Sequence, residues 1–265
     1  MKTLEMPLKG DVTLNLENLS VSFGGLMALN DVTMSLKPNV WNGLIGPNGA
    51  GKTTLLNVLS GFLVPTGGSI HLGDENMTGQ STQNWVERGI LRGFQMPRLL
   101  EGETVFVNIM LGRHRFLSSG LGAQILRLPQ YMADEKRDRD ACMEIAERLL
   151  LGDVLEEPIS NLTFGTRRLV EIARLLAAEP KIALFDEPAA GMDPDLRHEL
   201  VSILAEIQSA GKITAVLVEH DVDLVRRLCP VSHVLDAGRL IAHGATDEVL
   251  GLQQVQQAYF GVDHD

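Results

Sequence analysis

Nine consecutive residues, Gly46-Pro47-Asn48-Gly49-Ala50-Gly51-Lys52-Thr53-Thr54, combine backbone freedom, one amine and two hydroxyls in an order that suits phosphate. They fit G-x-x-x-x-G-K-[ST] without a mismatch. Glycines at 46, 49 and 51 permit a tight turn in which successive N–H groups face one anion at a helix N-terminus. Lys52 would neutralise the β- and γ-phosphates of a bound nucleotide, and the Thr53 hydroxyl would ligate Mg²⁺.

A second group lies in the other half of the chain. Lys181-Ile182-Ala183-Leu184-Phe185-Asp186 reads as an apolar strand with a carboxylate at its C-terminal end, where ligands collect in open parallel sheets. Asp186 would hold Mg²⁺ through water, and Glu187 would polarise the water that attacks the γ-phosphate. Val218-Glu219-His220-Asp221 closes the next strand in the same way and brings His220 toward the γ-phosphate side. Gln95, in Phe94-Gln95-Met96-Pro97-Arg98, sits where a strand gives way to a helical stretch, in reach of the same Mg²⁺.

These groups need a frame. Trp41 to Ile45 reads as a short strand, and Thr53 to Leu59 carries apolar residues at 55, 56, 58 and 59, as a helix would. Residues 12–36 alternate as half-buried antiparallel strands: Leu14 and Leu16, then Leu19, Val21 and Phe23, then Val32, Met34 and Leu36. Gly67-Gly68 turns into a further strand over 69–72. From Thr104 to Ala178 the pattern is helical, with Cys142, Ile145, Ala146 and Leu149 on one face and Leu169, Ile172, Ala173 and Leu176 on another. Beyond Pro180 come a strand (181–185), a helix (195–209), a strand (213–218), a helix (221–228) and a hairpin turning at Ala237-Gly238. Strands alternating with helices imply an α/β fold with a mostly parallel sheet, and the helical stretch reads as an insertion into it. Within that stretch, residues 112–133, with glycines at 112, 120 and 122 and Pro129, read as the most mobile connection.

At 265 residues the chain has ample length for a core, with 45% hydrophobic and 22% charged residues. No apolar run approaches the roughly 20 residues that cross a bilayer, and residues 1–20 carry no secretory signal. Cys142 and Cys229 offer neither metal-ligand spacing nor a disulfide framework, as expected of a cytoplasmic protein. A net charge of −11 argues against nucleic acid as the partner. The basic clusters Arg113-His114-Arg115, Arg137 with Arg139, and Arg167-Arg168 read as solvated helix faces or local ion-pair partners.

Taken together, GPNGAGKTT, the Gln95 loop, Leu162-Thr163-Phe164-Gly165-Thr166, the Asp186-Glu187 strand, the loop to Asp193 and His220 resemble the ATP-binding cassette (ABC) ATPases in order and separation. The resemblance spans nearly the whole chain. It implies a P-loop α/β core with an antiparallel β subdomain and an inserted helical subdomain, divided as 1–103 and 179–265 against 104–178. It also implies ATP and Mg²⁺ as cofactors and a dimer with a second ABC ATPase. Each ATP would be clasped between one subunit's phosphate loop and the other's signature turn, here Thr163 and Gly165. Phe23, in Ser22-Phe23-Gly24-Gly25, would stack on adenine, and Asp193 belongs with the nucleotide-contacting residues.

FQMPRLL, DEPAAGMDP, VEHD and Ala258-Tyr259-Phe260-Gly261 are similar to the LivG-type branch, the ATPases of branched-chain amino-acid importers. That branch implies membrane permease subunits, a LivF-type partner ATPase, an external solute-binding protein and a place on the cytoplasmic face of the inner membrane. Departures from the pattern are Thr166 in place of a longer polar residue, Val107 in place of Glu, and Pro38-Asn39-Val40-Trp41 in place of Pro-Gly-Glu. Rival readings are the motor of a lipid or lipopolysaccharide exporter, against which the LTFGT turn counts, and a soluble ATPase of the iron–sulfur scaffold kind. A P-loop kinase or GTPase is disfavoured, since the chain lacks N-K-x-D.

Overall fold

The computed structural model describes residues 12–93, 99–116 and 129–260. The chain divides into two compact units, one formed by Met1–Arg92, Lys181–Glu187 and Leu204–Asp265, the other by Gly93–Pro180 and Pro188–Ile203.

The first unit contains two sheets. Strands β1 (Leu14–Phe23), β2 (Leu26–Leu36), β4 (Gly67–Leu72) and β5 (Glu75–Asn76) form an antiparallel sheet in the order β2-β1-β4-β5. Along β1 the buried residues are Leu14 and Leu16, then Leu19 and Val21, so the alternation changes phase by one residue. The cause is a bulge at Asn18, whose φ is 50°, with a register shift between Leu16 and Leu19. Gly68 lies against it, where a Cβ would come within 2.5 Å of the Glu17 and Asn18 carbonyls. Phe23 does not continue the buried series: it is 50% exposed at the end of its strand.

The larger sheet runs β10-β9-β3-β8-β7-β6, made of β3 (Trp41–Ile45), β6 (Ile90–Arg92), β7 (Ile182–Asp186), β8 (Thr214–Val218), β9 (Val231–Asp236) and β10 (Arg239–Ala245). All neighbours are parallel except the β9–β10 hairpin. Both β3 and β8 are buried along their whole length and are mostly apolar; the polar exception in β3, Asn42, donates to the Val40 and Ala215 carbonyls. Ala237 and Gly238 have φ of 43° and 78°, the left-handed pair that a two-residue hairpin turn requires. Register decides what reaches the edge: Val218 pairs with both Leu44 and Asp186. The phosphate-loop sequence, Asp186 and residues 219–221 therefore leave the sheet side by side.

Helix α1 (Lys52–Leu59) follows β3 and buries Leu55, Leu56, Val58 and Leu59 in a core shared with β1, β2 and β4. Trp41 of β3 stacks on Phe185 of β7 at 5.5 Å across the intervening β8, both rings fully buried. The lead-in departure at Asn39 has a backbone reason. Its φ is 60°, a conformation that glycine adopts freely and asparagine tolerates, and its N–H donates to Thr214 Oγ1 at 2.8 Å. Helices α2 (Thr82–Glu87), α7 (Val222–Leu228), α8 (Thr246–Leu250) and α9 (Gln253–Phe260) complete this unit.

The second unit is helical: α3 (Val105–Met110), a 3₁₀ turn over Leu111–Phe116, α4 (Pro129–Arg148), α5 (Phe164–Ala177) and the start of α6 (Pro194–Ser209). The two apolar faces read from the sequence, Cys142 to Leu149 and Leu169 to Leu176, are buried as expected. Two expectations need correction. The connection read over 112–133 is helical at both ends, and Gly112 packs so closely that a Cβ would sit 2.2 Å from the Arg174 carbonyl; residues 117–128 lie outside the described residues. Arg113 is not on a solvated face. Its side chain is 6% exposed and binds Asp138, Glu179 and the Ala177 carbonyl. A buried guanidinium has to be paired in this way because it cannot lose its proton. Arg137 and Arg168 do make local ion pairs, with Asp134 and Glu171.

Candidate functional site

The phosphate-loop glycines are required for different reasons. At Gly46, with φ of 151°, a Cβ would lie 2.0 Å from the Leu235 carbonyl oxygen; at Gly51, with φ of 102°, it would lie 2.6 Å from that of Ala28. Gly49 has open space around it and needs only its φ of 80°. Because Gly51 is the N-cap of α1, no side chain caps that helix, and its first N–H groups are available to an anion. Lys52 Nζ donates to the Gly46 and Pro47 carbonyls at 2.6 and 2.9 Å. Burial lowers its pKa, while the nearby Glu187 and Asp186 carboxylates act in the opposite direction. The tip of the β9–β10 hairpin braces the loop through the Gly238 N–H to the Ala50 carbonyl at 3.0 Å, and the Gly46 N–H donates to the Tyr259 hydroxyl, also at 3.0 Å.

At the end of β7, Asp186 Oδ2 accepts from Arg92 Nη2 at 2.6 Å. One residue on, Glu187 has a φ of 50°, left-handed for a residue with a Cβ and placed directly before Pro188. Such a conformation costs on the order of 1–3 kcal/mol and persists only where its surroundings hold it. Two bonds do so here: the Glu187 N–H to the Val218 carbonyl at 2.9 Å, and Glu187 Oε1 to His220 Nε2 at 2.9 Å. Asp221 caps α7 by accepting from the Asp223 and Leu224 N–H groups, which sets where His220 leaves the sheet. A carboxylate with a fixed backbone and an imidazole on one oxygen can order and polarise a water with the other.

In the helical unit, Thr163 is the N-cap of α5, with Oγ1 accepting from the Thr166 N–H at 3.2 Å. The Thr166 hydroxyl is turned back onto Thr163 Oγ1 at 2.8 Å. Gly165 is buried, and a Cβ there would meet Leu196 Cδ2 of α6 at 2.5 Å. Phe164 is 56% exposed, with the Arg168 guanidinium 5.5 Å above its ring. Asp193 caps α6, accepting from the Leu196 N–H at 2.9 Å.

Comparison with known proteins gives the family. A family model described as "ABC transporter" matches residues 29–190. The chain belongs to the ABC transporter family. It is an ATP-binding, ATP-hydrolysing subunit of a transporter. Across 94% of its length this ABC ATPase is 37% identical to the high-affinity branched-chain amino acid transport ATP-binding protein LivG of Escherichia coli K12, covering 97% of that protein. Over the same shares it is 33% identical to the corresponding BraF protein of Pseudomonas aeruginosa. Among solved structures, the ADP conformation of MJ1267, an ATP-binding cassette of an ABC transporter, superposes with a TM-score of 0.79 at 30% identity; 96% of this chain and all of that one are covered.

Within the first unit of the ABC ATPase, the structure brings together Gly46 to Thr54, Asp186, Glu187 and His220. Thr163, Gly165 and Asp193 belong to the helical unit, and Gln95 lies outside the described residues. Phe23 is exposed ahead of Gly24 and Gly25, both with positive φ. Sequence reasoning passed over Arg92 and gave Tyr259 no role. A charged residue ending the short run Ile90-Leu91-Arg92 was the available signal, since an arginine on a buried strand demands a carboxylate partner.

Proposed function

We propose that this ABC ATPase drives an importer for branched-chain amino acids or a related small polar solute from the cytoplasmic face of the membrane. It works with a second ATPase subunit, membrane permeases and, through them, an external solute-binding protein. The reading rests on the LivG and BraF relatives, each described as a high-affinity branched-chain amino acid transport protein.

The observation that carries the mechanism is the His220–Glu187 bond at the left-handed Glu187. In this reading the uncapped N-terminus of α1 and Lys52 hold the phosphates, and the nucleotide displaces the Lys52 amine from its own loop carbonyls. Thr53 and Asp186 offer hard oxygen donors that suit Mg²⁺, with Gln95 as a further contact. Bound Mg²⁺ would neutralise charge developing on the phosphates. Glu187 orients the attacking water and draws on its proton, while His220 holds Glu187 in place. Phe23 stacks on adenine. Thr163, Gly165 and Thr166 meet ATP held by the partner subunit, and Asp193 is a further nucleotide contact. ATP contacts both faces and ADP only one, so hydrolysis reopens the dimer.

The test is to purify the chain with its native membrane partners and measure ATP hydrolysis with solute-binding protein loaded with leucine, isoleucine or valine. Stimulation by the loaded protein is expected. A soluble complex without permeases would overturn this reading, and no response to any of the three would overturn the branched-chain assignment.

A further inference from the structure

The Arg92 side chain is 0% exposed, and Asp186 beside it is 16% exposed. Arginine meets a carboxylate most strongly through two parallel bonds. Here the guanidinium is divided: Nη2 donates to Asp186 Oδ2 and Nη1 to Asn57 Oδ1, each at 2.6 Å, while the buried Nε has no partner among the described residues. Asn57 lies on α1, the helix that begins with Lys52 and Thr53. One charged group thus ties the phosphate-loop helix to the carboxylate at the end of β7. A pair selected only for stability would engage both carboxylate oxygens and leave no buried donor unpaired.

We propose that Arg92 is a positioning residue for Asp186: it fixes the carboxylate's orientation, tempers its charge, and thereby sets how tightly the site takes Mg²⁺ beside ATP. The proposal rests on Asp186 as the Mg²⁺ contact. A guanidinium stays charged under all conditions of interest. With Oδ2 engaged, only the remaining oxygen presents undiminished charge to a divalent ion, and the positive charge behind it opposes that ion. Such an arrangement favours release of the ion after hydrolysis over the tightest capture.

The test uses the full chain carrying Glu187→Gln, so that ATP persists, and reads the Mg²⁺ concentration giving half of the ATP-dependent rise in melting temperature. Arg92→Gln, which keeps donors and loses the charge, should lower that midpoint about fivefold. Arg92→Lys, which keeps the charge, should leave it near the parental value. Asn57→Ala frees the second arm of the guanidinium to close on Asp186, and should raise the midpoint even if Arg92→Gln does not fold. An unchanged midpoint in both Arg92→Gln and Asn57→Ala, or equal shifts in Arg92→Gln and Arg92→Lys, overturns the proposal. Asp186→Asn separates the two readings. If it too leaves the midpoint unchanged, the assignment of Asp186 falls and this proposal with it; if it shifts the midpoint while Arg92→Gln does not, only the role of Arg92 falls.

Discussion

The edge of the six-stranded sheet and the Thr163–Thr166 turn both present hydroxyls and helix-start N–H groups, yet they are held differently. At the sheet edge the reactive side chains already have fixed partners: Asp186 is held by Arg92, Glu187 by His220, and Lys52 by its own loop. At the turn, the Thr163 and Thr166 hydroxyls bond to each other, Thr163 exposed and Thr166 half-buried, with Phe164 standing out beside them. A site that polarises water needs its groups preorganised before substrate arrives. A surface that meets another subunit needs shape and exposed polar groups. In the proposed reading, the difference separates the chemistry that one chain completes by itself from the contact it lends to its partner.

Four measurements would break or sharpen that contrast. Replacing Glu187 by Gln should slow hydrolysis by about 10²–10⁴-fold while ATP affinity is kept, judged by single-turnover assay and nucleotide binding. Parental turnover would remove the sheet edge from the chemistry. Next in size is an acid sensitivity of the sheet unit. Burial, with His243 nearby, holds the His233 pKa down to about 4 from about 6.5. A depressed folded-state value means that the unfolded chain binds the extra proton. The contribution is therefore complete above pH 6.5 and disappears as pH falls to 4, amounting to about 3 kcal/mol. Denaturant titrations between pH 7 and 4 should show this slope in the parent and a flatter one in His233→Gln.

The smaller effects belong to the turn. Thr163→Ala should cost about 1 kcal/mol through the lost cap, seen as faster hydrogen exchange in the first turn of α5, with ATP affinity at the sheet edge unchanged. Thr166→Gln should have the least effect on stability and alter turnover only at the ATP held by the partner. A change at this chain's own site would contradict the division drawn above.

Local chemistry was the most legible part. The phosphate loop could be read because its function lies in consecutive N–H groups, and Asp186 and His220 could be read because each follows an apolar strand. Helix faces such as Leu169 to Leu176 were legible through their period. Arg92 was not legible as a partner of Asp186, since 94 residues separate them. Arg113 misled for the same reason: its partners Asp138 and Glu179 are distant in sequence, so its cluster looked solvent-facing or paired only locally. The bulge at Asn18 was hidden because a change of phase in alternating leucines has no local signature stronger than one asparagine.

By itself the sequence determined the nucleotide loop and the two acidic strand ends, because each depends on residues adjacent in the chain, and the family, because the order and spacing of such short motifs is itself a property of the sequence. Only the tertiary structure decided the rest. The shared pairing of Val218 with Leu44 and Asp186 aligns three strand ends. The His220 bond and the Val218 carbonyl hold Glu187 left-handed, and Arg92 is divided between α1 and β7. Gly165 proved to need its missing Cβ for Leu196, quite apart from any phosphate. Strand register and buried ion pairs join residues that sequence separation keeps apart, and only the folded chain can choose among their possible partners.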